Sequence, residues 1–408
     1  MIYYSINNSK GTNMRRVCVI VGIWAACASA AFGKIEISPD RPDALYKFME
    51  TATVTLRSDV PVKISIASDY RNPAVFDAPA GETKFEVKGW RPGFVMVAAE
   101  NGDQRAACGI GFSPELLLPD TPEPADFDRF WAAAIKKADK IPLDPQLEEM
   151  PEASNEKYKA YRVSFANIGN TRIYGFMTVP TGEGPYPIYC SVPGAGPNDV
   201  KPLSKYNDRA ITLVINVFPF PLPPSKDAAQ KLIEQHYPNY DGYWANPPAD
   251  CEKFFFYRAI LGANRAFNYA ASLPKFDHNH MVYWGSSQGG AMGVVLAALN
   301  RNITAAVLNV PADYGRIYTD SYYRTGDPAM VAIYPYFSVQ NFARRVNIPI
   351  MSSAGMVDRG CTPTNVSRFF NLIPSKQKEL RFIPAMGHDF DPDYERRTAE
   401  FIERYLEL

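Results

Sequence analysis

Histidine is scarce in this chain: four residues in 408, His236, His278, His280 and His388. Any chemistry that needs an imidazole base has to draw on these four. Net charge is missing as well, with Lys+Arg and Asp+Glu both at 43. No basic stripe or acidic tail stands out, which argues against a nucleic-acid partner. Cysteine is sparse, six residues with no pair at the C-x-x-C spacing of metal ligands. No apolar run is long enough to span a bilayer. Internal repeats and low-complexity tracts are absent.

What is present is ordinary for a folded protein that buries a full core: 46% hydrophobic and 21% charged residues. The length fits two folded units. Aromatic residues make up 13%. That suits a cleft for sugars or apolar ligands, and equally suits β-rich cores. The N-terminus, "NMRRVCVIVGIWAACASAAFGK", has Arg15 and Arg16, then an apolar run, then small residues. This is the pattern of a cleavable secretory leader over residues 1–33, with cleavage near Ala30 after Ala28-Ser29. Met14 is a plausible start, because the residues before it add nothing to that pattern. Lipidation at Cys27 is the alternative, disfavoured because Trp24 suits the first position of that motif poorly. The expected location is therefore outside the cytoplasm, periplasmic or extracellular. Cys108, Cys190, Cys251 and Cys361 remain after the leader. They allow two bridges in three connectivities, and free buried thiols fit at least as well.

Residues 34–115 alternate apolar and polar over short runs: "ATVTLRSD", "VKISIAS", "TKFEVKGW" and "FVMVAAENG", divided by Pro, Gly, Asp and Asn. The spacing suggests an immunoglobulin-like sandwich of seven strands, with no evident chemistry. "LLLPDTPEPAD" reads as a linker, and Asp126 as the N-cap of an amphipathic helix, "FDRFWAAAIKKADK". A hairpin follows, with its turn near Gly169-Asn170. Beyond it the rhythm changes. "YPIYCSVPG", "AITLVINV", "HMVYWG", "ITAAVLNVP", "IPIMSSAG" and "ELRFIPA" are apolar strands, with helices such as "FFFYRAILGANRAFNYAASLP" and "SQGGAMGVVLAALN" among them. Continuous apolar strands alternating with helices mean a mostly parallel sheet covered on both faces. Residues 116–408 thus form an α/β domain.

In such a sheet function gathers at the carboxyl ends of the strands. "YWGSSQGG" lies at one. Gly285-Ser286-Ser287-Gln288-Gly289 fits G-x-S-x-G with Ser287 at its centre; Ser286 does not fit the frame. On a strand–turn–helix, this frame aims the serine oxygen out of the sheet at a helix N-terminus. The plain alternative is a small-residue packing turn.

Ser287 needs a base. His278 and His280 precede its strand and lie at the far end, about 15–20 Å away at roughly 3.3 Å per residue. They read as polar loop residues, not an H-x-H metal pair. His236 sits in a Tyr-rich insertion. His388, in "FIPAMGHDF", follows the last strand, which suits the order Ser, acid, His of α/β-hydrolases. Asp358 follows the strand "IPIMSS" and is expected to orient that imidazole. Asp313, Asp320 and Asp327 are worse placed, and Asp389 is too close in sequence to meet His388 head-on. One oxyanion N–H is expected from Gln288, the residue after the nucleophile. The second is expected from Gly194 or Ala195 in "SVPGAGPND", with Ala195 preferred.

The ordered set "FDRFW", "PGAG", "FFFYRAILGANRAFNYAASLP", "WGSSQGG", "VDRGCTP" and "GHDF" resembles the acetylxylan esterase and cephalosporin-C deacetylase group, carbohydrate esterase family seven. The likeness runs from about Asp126 to the C-terminus. It implies an α/β-hydrolase fold and hydrolysis of small acetyl esters on sugars. The family pattern falls on Ser287, Asp358 and His388, with Gln288 and Ala195 as oxyanion donors. Three places depart from it. "VFPFPLPP" stands where the family carries Arg-Gly-Gln, Pro-Gly-Ala-Gly stands where it carries His-Gly-Tyr-Gly, and His388-Asp389 stands where it carries His-Glu. These departures touch substrate and assembly more than the triad.

The expected function is therefore a secreted serine carboxylesterase that deacetylates a plant polysaccharide or its oligomers, without metal or organic cofactor. Tyr237, Tyr240, Tyr243 and Trp244 of "HYPNYDGYWANPP" are candidates for a cleft wall, or for a packed surface loop. The alternatives are a prolyl-oligopeptidase-type peptidase and a catalytically dead sugar-binding hydrolase fold. The first usually carries a propeller, which roughly 80 residues of β structure are too few to build. A homo-oligomer is left open.

Overall fold

The computed structural model describes residues 24–26, 35–68, 71–237, 250–313 and 328–408. The chain groups into two compact units. One comprises Met1–Leu118, Ala354–Asn371 and Phe382–Asp391; the other comprises Pro119–Ser353, Leu372–Arg381 and Pro392–Leu408.

The first unit is built on two β-sheets. Its strands are β1 (Trp24–Ala26), β2 (Glu36–Pro39), β3 (Leu45–Tyr46), β4 (Thr51–Ser58), β5 (Val62–Ser68), β6 (Arg71–Ala78), β7 (Gly81–Lys88), β8 (Gly93–Asn101) and β9 (Gln104–Phe112). The sheets run β1-β7-β4-β2 and β3-β9-β8-β5-β6. The four alternating runs read from the sequence are β4, β5, β7 and β8. Among the described residues from 35 to 113 there are eight strands, not seven; the extra one is β3, a two-residue strand with too few residues to show a period of two. The backbone of residues 24–26 pairs antiparallel with β7, inside the stretch read as a leader. The inward residues of both sheets make one core: Val54 and Leu56 on β4, Ile64 and Ile66 on β5, Phe85 and Val87 on β7, and Cys108, Ile110 and Phe112 on β9.

The second unit begins with α1 (Phe127–Asp139). Asp126 precedes it, as expected, but its side chain does not cap the helix. Its carboxylate instead accepts from the Tyr336 hydroxyl at 2.6 Å. Trp131 is the anchor of α1. It is buried, its indole N–H donates to the Tyr336 carbonyl at 3.0 Å, and Phe337 meets its ring edge-on. Burying Phe127 beside it contributes about 1.5–3 kcal/mol. The hairpin is β11 (Tyr158–Asn167) and β12 (Thr171–Pro180), with β10 (Gln146–Glu149) on its outer edge. Its turn falls at Gly169 and Asn170, both in the left-handed region.

The six apolar runs become β13 (Tyr186–Ser191), β14 (Ile211–Ile215), β15 (Phe276–Ser286), β16 (Ala305–Asn309), β17 (Ile350–Gly355) and β18 (Lys378–Ile383). Together with the hairpin they make a nine-stranded sheet, β10-β11-β12-β14-β13-β15-β16-β17-β18. The pairs from β14 through β13, β15 and β16 to β17 are all parallel. β14, β16 and β17 are buried at every position, which is why they read as unbroken apolar runs. Helices α2 (Lys226–His236) and α3 (Phe255–Ala271) lie between β14 and β15. α4 (Gln288–Leu299) joins β15 to β16. α5 (Pro328–Phe337) and α6 (Val339–Ala343) precede β17, α7 (Pro363–Leu372) joins β17 to β18, and α8 (Pro392–Leu406) closes the chain. The chain leaves β13 for β14 on one side and returns to β15 on the other. The carboxyl ends of β13 and β15 therefore flank a topological switch point, where parallel sheets bind ligands. Among the described residues, no helix is long and apolar enough to cross a membrane.

Candidate active site

Ser287 stands between the end of β15 and the first residue of α4. Its backbone is at φ 56°, ψ −120°, which a serine adopts only under constraint from its surroundings. Backbone hydrogen bonds impose the constraint. The Ser287 N–H donates to the Asn309 carbonyl at 3.0 Å, and the Ser287 carbonyl accepts from Ala312 at 2.9 Å and from Ala291 at 3.0 Å. Small residues make the turn possible. A Cβ on Gly285 would fall under 3.0 Å from the Gly289 carbonyl, one on Gly289 would do the same to the Val192 carbonyl, and one on Gly290 would lie 2.8 Å from the Pro311 Cα. The Tyr283 hydroxyl donates to the Gly289 carbonyl at 2.5 Å and ties the strand to the helix. The helix starts at Gln288, so the N–H groups of its first turn gather beside Ser287 and favour negative charge there.

The loop after β13 is packed next to this turn. A Cβ on Gly194 would sit at ordinary contact distance, 3.9 Å, from the Ser287 Cβ. The loop is held by Asn198, whose amide donates to the Gly194 carbonyl at 2.7 Å and the Gly196 carbonyl at 3.2 Å. Gln288 is buried, and its side-chain amide donates to the Gly194 carbonyl at 3.4 Å. Its side chain therefore bears on the position of this loop, a role beyond the backbone N–H expected from sequence. Ala195 is exposed at the loop's tip. Ser286 accepts from the Asn309 amide at 3.1 Å, and Asn309 in turn accepts from Ser353 at 2.7 Å.

Asp358 and His388 come together, as the order of the loops suggested. The His388 Nδ1 lies 2.7 Å from Asp358 Oδ2. A carboxylate only accepts, so Nδ1 carries the proton and Nε2 keeps its lone pair. Asp358 is buried, and its other oxygen accepts from the backbone N–H of Gly360 at 2.8 Å and of Cys361 at 2.9 Å. This D-x-G-C turn was legible as a motif, but its hydrogen bonds were not. The His388 side chain is 44% exposed. Its hydrogen bond to Asp358 holds its pKa above the ordinary value, against partial desolvation, with the charges of Asp358 and Asp389 adding to the effect. Among the described residues, Asp358, Cys361 and His388 each bring one potential metal-ligand atom within 4.8 Å of the others. Both Asp358 oxygens are already engaged, so the arrangement is that of an oriented imidazole.

The other candidates are occupied elsewhere. His280 bonds to Asp277 at 2.9 Å, and His236 to the Leu232 carbonyl in its own helix. Asp313 is buried and accepts from Gln340 at 3.0 Å. Asp320, Asp327, Tyr240, Tyr243 and Trp244 lie outside the described residues. In "VFPFPLPP", where the resemblance leads one to expect an arginine, a guanidinium arrives from α3: Arg258 donates to the Val217 carbonyl at 3.1 Å. Among the described residues, Cys108, Cys190, Cys251 and Cys361 form no disulfide. Burial pushes the Cys108 thiol up to about 12 and the Cys251 thiol up to about 11, so neither is a ready nucleophile.

Comparison with known proteins shows the family of the chain. Residues 117–405 match the family model of acetyl xylan esterase (AXE1). The acetyl esterase Axe7A of Xylanibacter ruminicola is 30% identical over 308 residues, 71% of this chain and 70% of that protein. Two solved structures share the fold. Acetyl xylan esterase 1 of a Thermoanaerobacterium species has a TM-score of 0.61 at 19% identity, covering 72% of this chain and 97% of that one. The acetyl xylan esterase of a Paenibacillus species has a TM-score of 0.60 at 20% identity, covering 72% and 98%. The chain belongs to the acetyl xylan esterase (AXE1) family and is an ester-hydrolysing enzyme on an α/β-hydrolase fold.

Proposed function

We propose that the protein is an exported serine esterase that removes acetyl groups from a plant polysaccharide or its oligomers. In this reading Ser287 is the nucleophile, His388 the general base and acid, and Asp358 the group that orients His388. Residues 116–408 are the catalytic domain, and residues 34–115 are a β-sandwich domain that precedes it in the chain. The observation that carries it is the backbone of Ser287. It is held at φ 56° between a parallel strand and a helix N-terminus, with the Gly194 loop in contact.

The steps follow from the groups. His388 Nε2 takes the Ser287 hydroxyl proton as Oγ bonds to the ester carbonyl carbon. The carbonyl oxygen becomes an oxyanion, stabilised by N–H donors from Gln288 and from Ala195 or its neighbour Gly194. The imidazolium then gives its proton to the departing sugar oxygen as that C–O bond breaks. Water, deprotonated by the same Nε2, attacks the acyl-enzyme and releases acetate and free serine. Asp358 stabilises the imidazolium by its hydrogen bond to Nδ1 and fixes the tautomer. No step calls for a cofactor.

The test is acetate release from acetylated xylan, mannan, pectin and small acetyl esters, together with fluorophosphonate labelling. Activity on acetylated sugars and label on Ser287, lost in Ser287→Ala, are expected. Cleavage confined to long acyl or aromatic esters would overturn the deacetylase reading. Absence of label would overturn the nucleophile.

A further inference from the structure

We propose that the outer face of the sandwich sheet β3-β9-β8-β5-β6 is a positioning platform for the Asp358–His388 pair, which makes the N-terminal β region part of the catalytic architecture. This rests on the reading of Asp358 and His388 as the orienting acid and the base.

The placement follows from the period of a strand. On β9, Cys108, Ile110 and Phe112 point into the sandwich core, so Gly109 and Gly111 face the other way. On β8, Val95, Val97 and Ala99 point inward, and Phe94 faces out. An outer sheet face is usually polar and wet. Over β8 and β9 it is not: every residue from Gly93 to Ala99 and from Cys108 to Phe112 is buried. What covers it includes the two loops of the pair. The Gly109 N–H donates to the Pro384 carbonyl at 2.8 Å, four residues before His388. A Cβ on Gly109 would fall under 3.0 Å from the Met356 carbonyl, two residues before Asp358. Met356 is fully buried against Phe94 and Ala44, and the Phe94 and Phe382 rings lie 5.2 Å apart.

The same loops are stitched to each other. The Met356 N–H donates to the Ile383 carbonyl at 3.0 Å and the Val357 N–H to the Met386 carbonyl at 3.1 Å. A Cβ on Gly355 would fall under 3.0 Å from the Gly387 carbonyl. The strand edge at Gly109 therefore grips both halves of the pair at once, through backbone atoms that no side-chain rotation relaxes. Glycine at 109 is what lets the backbones approach so closely, and glycine at 111 leaves room for the Leu45 and Phe94 side chains. The groups that set the charge state of His388 are Asp358 and Asp389, with the Cys361 thiol beside them.

The test uses the full chain and a small acetyl ester. Gly109→Ala should push the Met356 segment away and loosen the Asp358–His388 bond. We expect kcat to fall about 10–100-fold, with KM changed less than about twofold, because the loss is in alignment and not in substrate binding. The acid limb of the pH–rate profile should move to lower pH, because the bond that raises the His388 pKa is weakened. The control is Val54→Ala, a cavity in the sandwich core on the other sheet. It should lower the melting temperature, yet leave kcat and the pH profile as in wild type below that temperature. Should Gly109→Ala fail to fold, Phe94→Leu carries the same readouts, because it loosens the Phe382 contact without a clash.

A wild-type kcat and pH profile in a folded Gly109→Ala or Phe94→Leu would overturn the platform. So would kcat losses in these variants and in Val54→Ala that simply track melting temperature. His388→Ala separates the two readings. If it retains activity, the assignment of the base fails. If it is inactive while Gly109→Ala is unimpaired, only the platform fails.

Discussion

The serine turn and the acid–base loops are built on different principles. The turn around Ser287 is local. Gly285, Gly289, Gly290 and Tyr283 span eight residues; Gly285 and Tyr283 serve the close packing of β15 against α4, while Gly289 and Gly290 admit the backbone at Val192 and Pro311. The Asp358–His388 pair is assembled from far apart. Its two members are separated by 30 residues, and a strand edge near residue 109 meets the loops of both. A local device announces itself as a motif. A device made by long-range contacts leaves only scattered glycines, whose reason lies elsewhere in the chain.

The comparison can be sharpened by breaking each side. Ser287→Ala should have the largest effect, a loss of roughly a million-fold in kcat with the fold intact, read by initial rates and by circular dichroism. Asp358→Asn should cost about 10⁴-fold in kcat, because an amide both removes the charge and lets His388 take the wrong tautomer. It should also change the pH dependence. The base must be neutral to act, so activity rises with pH through the His388 pKa. In the wild type that midpoint should lie above 6.5, because the bond to Asp358 raises it, and in Asp358→Asn it should fall. A midpoint that stays put would separate Asp358 from His388.

Smaller effects test the turn. Gly289→Ala forces a methyl onto the Val192 carbonyl and should cost about 1–3 kcal/mol of stability by overpacking, seen as a lower denaturation midpoint, with activity lost in parallel. Ser286→Ala should be mildest. It removes one partly buried hydrogen bond to Asn309, worth about 1 kcal/mol, and should leave Ser287 labelling in place. Loss of label in Ser286→Ala would shift the nucleophile by one residue.

Much of the fold was legible because its signals are local. Each of the six apolar runs from "YPIYCSVPG" to "ELRFIPA" is a strand of the sheet, and in β14, β16 and β17 burial on both faces leaves no polar alternation. The hairpin turn at Gly169-Asn170 was legible because two consecutive left-handed residues demand such a pair. Asp126 was legible as the start of a helix but not as the partner of Tyr336, because that partner lies 210 residues away. Helices α2, α5 and α6 were not legible. α5 carries Pro335 inside it, and α6 has only five residues. The pairing of Asp358 with His388 was legible from chain order. The N–H groups of Gly360 and Cys361 that hold Asp358 were not, because a backbone bond carries no residue-type signature.

By itself the sequence determined the fold class, the family and the identity of the candidate triad. Each depends on residue type at short spacing: period-two and apolar runs, G-x-S-x-G, and the order of Ser, Asp and His. Only the tertiary structure decided what the β region before the hydrolase touches. Gly109 and Gly111 look like weak points in a strand until their outer face meets Met356, Pro384 and Phe94. The physical reason is that close backbone approach depends on what occupies the space where a side chain would be, and the occupant comes from a distant part of the chain.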